Sequence, residues 1–212
     1  MLPQVKKQNI ARFCDVFCET GVFSIEQSRR LLRAAQALGL GLKIHADEVN
    51  DLGGAGLAAE LHACSADHLL AASADNIKAM AQAGVIATLL PATAYSLRKN
   101  YAPARLMLEN DVPVALATDC NPGSSFTESM QFVIGLAVLN MHMTPAEALT
   151  GATLNAAYAI NMADKVGSLD PGKQADFLIL AGETPAILAY HAGVSSVAKV
   201  YKKGQEIRRM MP

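Results

Sequence analysis

Apolar positions along this chain fall into two spacings. Short, nearly continuous runs read as strands, and apolar residues three and four apart read as helices. Phe13, Val16 and Phe17 around Asp15 make a first short strand, Arg12 to Cys18, which ends at Glu19-Thr20-Gly21. Residues 1–11 before it are a polar lead-in with no predicted element. Ser24 followed by Gln27 has the capping-box pattern. Ile25, Ser28, Leu31, Leu32, Ala35 and Leu38 then recur at helical spacing, and Gly39 supplies the stop. Leu42 to His45 is the second strand. A turn with Gly53, Gly54 and Gly56 leads into a short helix, Leu57 to His62, and Cys64 to His68 is the third strand. Ser73 caps a helix from Ala74 to Ala83, ended by Gly84. Val85 to Leu90 is an unbroken apolar strand stopped by Pro91. A polar loop, Thr93 to Tyr101, precedes a helix from Pro103 to Glu109, and Val112 to Thr118 is the fifth strand.

Strands alternating with helices through short connections predict βαβ units and a parallel sheet. Right-handed crossovers then place every strand's C-terminal end on one side. Those ends carry Glu19, His45 with Glu48, His68, the loop at Pro91, and Asp119. Sites of α/β sheets and barrels form at that side. After Asp119 the pattern changes. Helices are expected over Thr127 to Met141, from Thr144 with Pro145 in the first turn, and over Thr153 to Asn161. The turn Val166 to Lys173 feeds a strand, Ala175 to Leu180. Val197 to Tyr201, Lys203-Gly204 and Gln205 to Ile207 read as a hairpin. The boundary therefore falls between an α/β domain over 1–165 and a small β domain over 166–212.

Composition narrows the partners. The chain has 212 residues, 51% apolar and 17% charged, enough for one sizeable core or one and a half domains. Its formal net charge is −1, without a basic stripe or aromatic platform, so nucleic acid is not an expected partner. No uninterrupted apolar run of about twenty residues exists, so no membrane span is expected. The start of the chain is too polar for a signal peptide. Four cysteines without a CxxC pair suit reduced thiols, and a cytoplasmic location is expected.

The candidate chemistry lies at the strand ends. A histidine at one and an aspartate at another are typical zinc or iron ligands. His45 and Asp119 fit that role, with His68 on the strand between them as a base or orienting group. His62, His142 and His191 read as surface or structural residues.

The order histidine, histidine, aspartate at successive strand ends is similar to the amidohydrolase superfamily. So is the closing stretch Gly167-Ser168-Leu169-Asp170-Pro171-Gly172-Lys173-Gln174-Ala175-Asp176. Within it the chain resembles the imidazolonepropionase family, on four stretches: Phe13-Cys14-Asp15-Val16-Phe17-Cys18-Glu19, Lys43-Ile44-His45-Ala46-Asp47-Glu48, Ser65-Ala66-Asp67-His68 and Ala117-Thr118-Asp119-Cys120-Asn121-Pro122-Gly123-Ser124. The resemblance implies an α/β fold, a metal-dependent hydrolase TIM barrel of (β/α)8 type with a small β-sandwich domain. It implies one Zn2+ or Fe3+ ion with His45 and Asp119 as ligands. Glu48, His68 and Asp119 would be catalytic, and Glu48, Asn121, Gly123 and Ser124 would bind substrate. The implied reaction is hydrolysis of 4-imidazolone-5-propanoate to N-formimidoyl-L-glutamate in histidine degradation, by a homodimer. A loop of Asn, Gly and Ser before a helix has a physical basis for holding the propionate, through backbone N–H groups. Another ring deaminase of the superfamily and an inactive fragment are the competing readings; Asn-Pro-Gly-Ser after Asp119 favours the first family over the deaminase.

The chain departs from the family in two ways. The family's remaining ligands come from a His-x-His pair, and this sequence has none. Five βα units are predicted where a closed barrel needs eight, and they match the fourth to the eighth. A truncated reading frame or a piece of a longer protein would both give this. Two ligands are too few to hold a catalytic metal tightly. Open sheet edges and uncovered barrel-facing apolar side chains would leave the chain unstable or aggregating, and inactive alone.

Overall fold

The computed structural model describes residues 1–191 and 193–207. Its centre is a parallel sheet of five strands in chain order: β1 (Phe13–Cys18), β2 (Gly41–Ala46), β3 (Ser65–His68), β4 (Ile86–Leu89) and β5 (Val114–Leu116). The register runs Val16↔Ile44, Ile44↔Ala66, Ala66↔Ala87 and Ala87↔Val114. Strands β1 and β5 do not pair with each other among the described residues, so the sheet is open. Among the described residues it is an open parallel α/β sheet of five strands rather than a closed barrel.

Side chains alternate across a strand, and here the two faces differ in kind. The register row above is apolar, as are the flanking Cys18, Leu42, Ala46, Leu89 and Leu116, all buried in the main core. Helices cover that outer face: α2 (Ile25–Ala37), α3 (Gly54–Glu60), α4 (Ala74–Ala83) and α6 (Ala104–Glu109). Leu32, Ile77, Met80 and Met107 fill the gap and are fully buried. The opposite, inner face carries Asp15, Phe17, Lys43, His45, Ser65, Asp67 and Thr88. The expectation of uncovered apolar side chains is therefore corrected for most of this face: where it is open, apart from Phe13 and Phe17, it is polar. Near β4 and β5 it is closed, because Ala156 and Ala159 pack on Ile86 and Ala115.

Local signals account for most of the helices. Ser24 and Gln27 form the full capping box of α2. Gly84 ends α4 at φ 69, a left-handed turn that glycine adopts without penalty. Three segments differ from expectation. The lead-in holds a helix, α1 (Leu2–Gln8), with Pro3 in its first turn, Lys6 and Lys7 in its last, and Asn9 left-handed at its end. Pro91 not only stops β4 but starts α5 (Pro91–Ser96), whose Ala92, Thr93 and Ala94 are buried, so the expected loop is half helix. The helix expected over 153–161 is one continuous path instead. It runs from α8 (Pro145–Thr150) through a π-helical turn, Gly151–Asn155, into α9 (Ala156–Ala159). The cause is the β5 edge. A Cβ on Gly151 would sit 3.1 Å from Val114 O, and Asn155 Nδ2 donates to that same oxygen at 2.9 Å. The widened turn fits the chain against the strand. Strands β4 and β5 are also shorter than predicted, and α3 begins at Gly54 rather than Leu57.

After β5 comes α7 (Met130–Asn140), capped by Ser129. The last described elements form an antiparallel sheet of β6 (Phe177–Leu180), β7 (Val197–Lys202) and β8 (Gln205–Glu206). Phe177 and Tyr201 stack across it at 4.4 Å. Between its strands, α10 (Ile187–Tyr190) puts Leu188 and Ala189 into the main core, and Gln131 of α7 bonds Ser196 N at 2.8 Å and His191 O at 2.9 Å. No described helix is long and apolar enough to cross a membrane.

Candidate active site

The strand ends converge as predicted, but not by alternation alone. His45 is on the inner face. His68 pairs with Ala46, a position that alternation assigns to the outer face. It reaches the inner side because its φ is 75 and that of Leu69 is 62, so the chain turns sharply there. The ring then lies 5.2 Å from that of His45. Asp119, after β5, is also left-handed at φ 53, as is Asp47 after β2 at φ 51. Non-glycine residues in this region cost roughly 1–2 kcal/mol each; four of the eleven among the described residues, Asp47, His68, Leu69 and Asp119, lie at this end of the sheet.

Glu48 is aimed by its neighbours. Asp47 is fully buried and accepts the N–H groups of Leu52, Gly53 and Gly54 on Oδ1 at 2.9–3.0 Å and of Ala55 on Oδ2 at 2.9 Å. Glu19 accepts the N–H groups of Val49 at 2.9 Å and Asn50 at 3.3 Å, and the Asn50 side chain at 3.0 Å. Burial alone would push the Glu19 carboxyl up, but these donors together hold it below its usual value. Between the two pinned acids, Glu48 Oε1 stands 3.7 Å from His68 Nδ1. Burial first, and the Asp119 charge second, push the Glu48 carboxyl up. Burial, reinforced by nearby His45, pushes His68 down to about 4, so it is neutral near pH 7. Its Nδ1 is buried without a hydrogen-bond partner.

Asp119 Oδ2 accepts from Thr93 Oγ1 at 2.6 Å, across from the start of α5. The loop beyond is closed by Asn121. Its Nδ2 donates to Asp119 O at 2.7 Å and Ser124 Oγ at 3.0 Å, and its Oδ1 accepts the N–H groups of Gly123 at 2.9 Å and Ser124 at 2.8 Å. The two backbone donors expected to face an anion are thus collected at one point, where the Asn121 oxygen sits.

Asp15, His45 and Asp67 are a group whose potential ligand atoms all lie within 4.8 Å of one another, and Asp119 is not in it. Asp67 is buried, held by Ser65 Oγ at 2.7 Å with Lys43 Nζ 3.6 Å away. The hydrogen bond with Asp15 is the chief influence on His45, raising it against the opposing effect of burial. Asp15, Asp67 and Thr93 carried no weight in the sequence as site residues. The parity of Asp15 and Asp67 with His45 on paired strands was the available signal; nothing local marked Thr93. His62, His142 and His191 are exposed, as expected.

The nitrogen and oxygen donors His45 and Asp119, with the unpartnered His68 nitrogen beside them, suit an ion such as zinc or iron in chemistry. Comparison with known proteins gives the family. The curated imidazolonepropionase of Desulfotalea psychrophila is 83% identical over 98% of this chain and 50% of its own length. That of Syntrophobacter fumaroxidans is 63% identical over 99% of this chain and 49% of its own length. The chain thus spans about half the length of the curated relatives it matches. Among solved structures, an adenosine deaminase from Xanthomonas campestris with bound zinc has a TM-score of 0.77 at 20% identity, covering 97% of this chain and 54% of that one. Molinate hydrolase has a TM-score of 0.73 at 19% identity, covering 97% and 53%. At such identity these two show the fold alone. The pattern of the Amidohydrolase family matches residues 18–207, nearly the whole sheet and tail, and the chain belongs to that family.

Proposed function

We propose that this chain supplies one half of an imidazolonepropionase, which opens the ring of 4-imidazolone-5-propanoate with water to give N-formimidoyl-L-glutamate. The observation that carries the reading is the meeting of Glu48, neutral His68 and His45 at one end of the sheet, in a chain 83% identical to a protein of that name. His45 and Asp119 would hold a zinc or iron ion, with the remaining ligands outside this chain. Bound there, the ion supplies Lewis acidity and a more acidic water.

The residues divide the rest. Glu48, its carboxyl pushed up by burial, accepts the proton of the attacking water at Oε1. The water oxygen bonds to the ring amide carbon, and the carbon–nitrogen bond breaks. The leaving nitrogen takes that proton back from Glu48, directly or through Asp119. His68, 3.7 Å from Glu48, donates or accepts a hydrogen bond as the carboxyl changes state. Asn121, Gly123 and Ser124 hold the propionate, whose oxygen takes the position that Asn121 Oδ1 fills between the two N–H groups. The domain reading follows: residues 1–165 form part of a (β/α) barrel and 166–212 part of a β-sandwich, in a homodimer acting on a small molecule in the cytoplasm.

Loss of imidazolone-propanoate is the assay, run on this chain and on the complete protein, each with and without chelator. The complete protein is expected to turn over, to stop in chelator and to release formimidoyl-glutamate without ammonia, while the chain alone stays inactive. A complete protein that leaves this substrate untouched, or that releases ammonia from it, overturns the reading.

A further inference from the structure

His45 enters the site with one ring nitrogen already engaged. Its Nδ1 lies 3.2 Å from Asp15 Oδ1, contributed by the neighbouring strand β1. The ring is held on both sides, by Phe17 at 5.7 Å and His68 at 5.2 Å between centroids. A carboxylate only accepts hydrogen bonds, so the nitrogen facing it carries the proton. In a neutral imidazole the other nitrogen then has the free lone pair, and a metal-ligating histidine is commonly oriented by such a partner.

We infer that Asp15 is a positioning residue: it holds His45 as the Nδ1–H tautomer and so presents Nε2 to the metal. The inference rests on the proposed role of His45 as a ligand. Asp15 suits this task better than its neighbours. Asp47 and Glu19 are buried and bind backbone N–H groups, which makes them structural. Asp67, the other carboxylate beside His45, is engaged by Ser65 and Lys43. Asp15 is exposed on the inner face, and among the described residues its carboxylate bonds to His45. Its removal therefore leaves no buried donor unsatisfied.

Two readouts decide the matter, the tautomer on this chain and metal competition on the complete protein, which brings the ligands this chain lacks. Long-range proton–nitrogen correlation of the ¹⁵N-labelled chain above pH 8, with His45 assigned through His45→Gln, reports the tautomer without any metal. Nδ1–H is expected in the native chain and in Asp67→Asn, and a shift toward Nε2–H in Asp15→Ala. The second readout is competition for Co2+ or Zn2+ against a chromophoric chelator. Asp15→Ala is expected to weaken binding about 10–100-fold, Asp15→Asn to recover part of it as a neutral acceptor, and His45→Gln to lose it. An Nε2–H form in the native chain, or an unchanged tautomer in both Asp15 variants, overturns the inference. Metal binding that ignores His45→Gln removes His45 as a ligand and with it the metal role of Asp15, while the tautomer result still shows whether Asp15 sets the ring.

Discussion

The two faces of one five-stranded sheet are built from alternate residues of the same strands, and they obey opposite rules. On the outer face Val16, Ile44, Ala66, Ala87 and Val114 sit side by side, all buried. On the inner face the same strands offer Asp15, Lys43, His45, Asp67 and Thr88. The outer row gains from leaving water. The inner row carries charge that must be paired or hydrated, and part of it is buried in pairs such as Lys43 with Asp67. Stability and chemistry are thus separated by a single residue step, and substitutions should reveal two classes of effect.

The largest effect belongs to the outer face. Ile44 is fully buried at its centre. Ile44→Ala should cost about 3–4 kcal/mol through lost burial and a cavity, read as a lower urea midpoint. Next comes Asp47, which alternation would send to the inner face but which its left-handed backbone turns into the core. Asp47→Ala leaves four backbone N–H groups at the start of α3 without their acceptor. About 2–3 kcal/mol is expected by the same measurement. A loss under about 0.5 kcal/mol would mean that water replaces the carboxylate freely.

A smaller effect tests charge on the helical side. Arg105 of α6 bonds Glu147 of α8, and that bond, with the backbone N–H of Thr144, lowers Glu147 from 4.5 to about 2. A carboxyl depressed by folding adds stability above its unfolded value, and that stability is lost as pH falls from about 4.5 toward about 2. Because the pair is largely solvated, the loss should be no more than about 1 kcal/mol and should shrink in salt. Glu147→Gln should flatten that part of the stability–pH curve.

The sequence showed the outer face and the strand ends well. Strand order, the capping box at Ser24, the helix start at Thr144 with Pro145, and the terminal hairpin follow from local patterns that tertiary packing does not override. The three segments that differed all depend on non-local contacts. Leu2 of α1 and Ala92 of α5 pack on the core, and the π turn at Gly151 answers to the Val114 oxygen. The site was legible as a set of residue types but not as a geometry. Periodicity alone puts His68 on the wrong face, because nothing local announces two successive left-handed residues. Asp15 was visible in the first strand, yet its bond to His45 needs the β1–β2 register, which a single sequence does not print.

The smallest expected change in stability is at His45, and it is the sharpest test of the division. His45 follows Ile44 directly, on the opposite face, with its ring partly open to solvent and tied to Asp15 by one bond. Its replacement creates no cavity in the core and leaves Asp15 free to be hydrated. His45→Ala should therefore cost less than about 0.5 kcal/mol, the usual range for surface changes, read from the urea midpoint. The Asp15 and Asp67 carboxylates beside it lose a shared partner, which limits any gain. Adjacent residues would then differ several-fold in their effect on folding, while the metal and substrate roles proposed for the inner face fall on the one whose loss hardly alters stability. If His45→Ala instead unfolds the chain as readily as Ile44→Ala, the inner face is part of the core and the separation of the two faces fails.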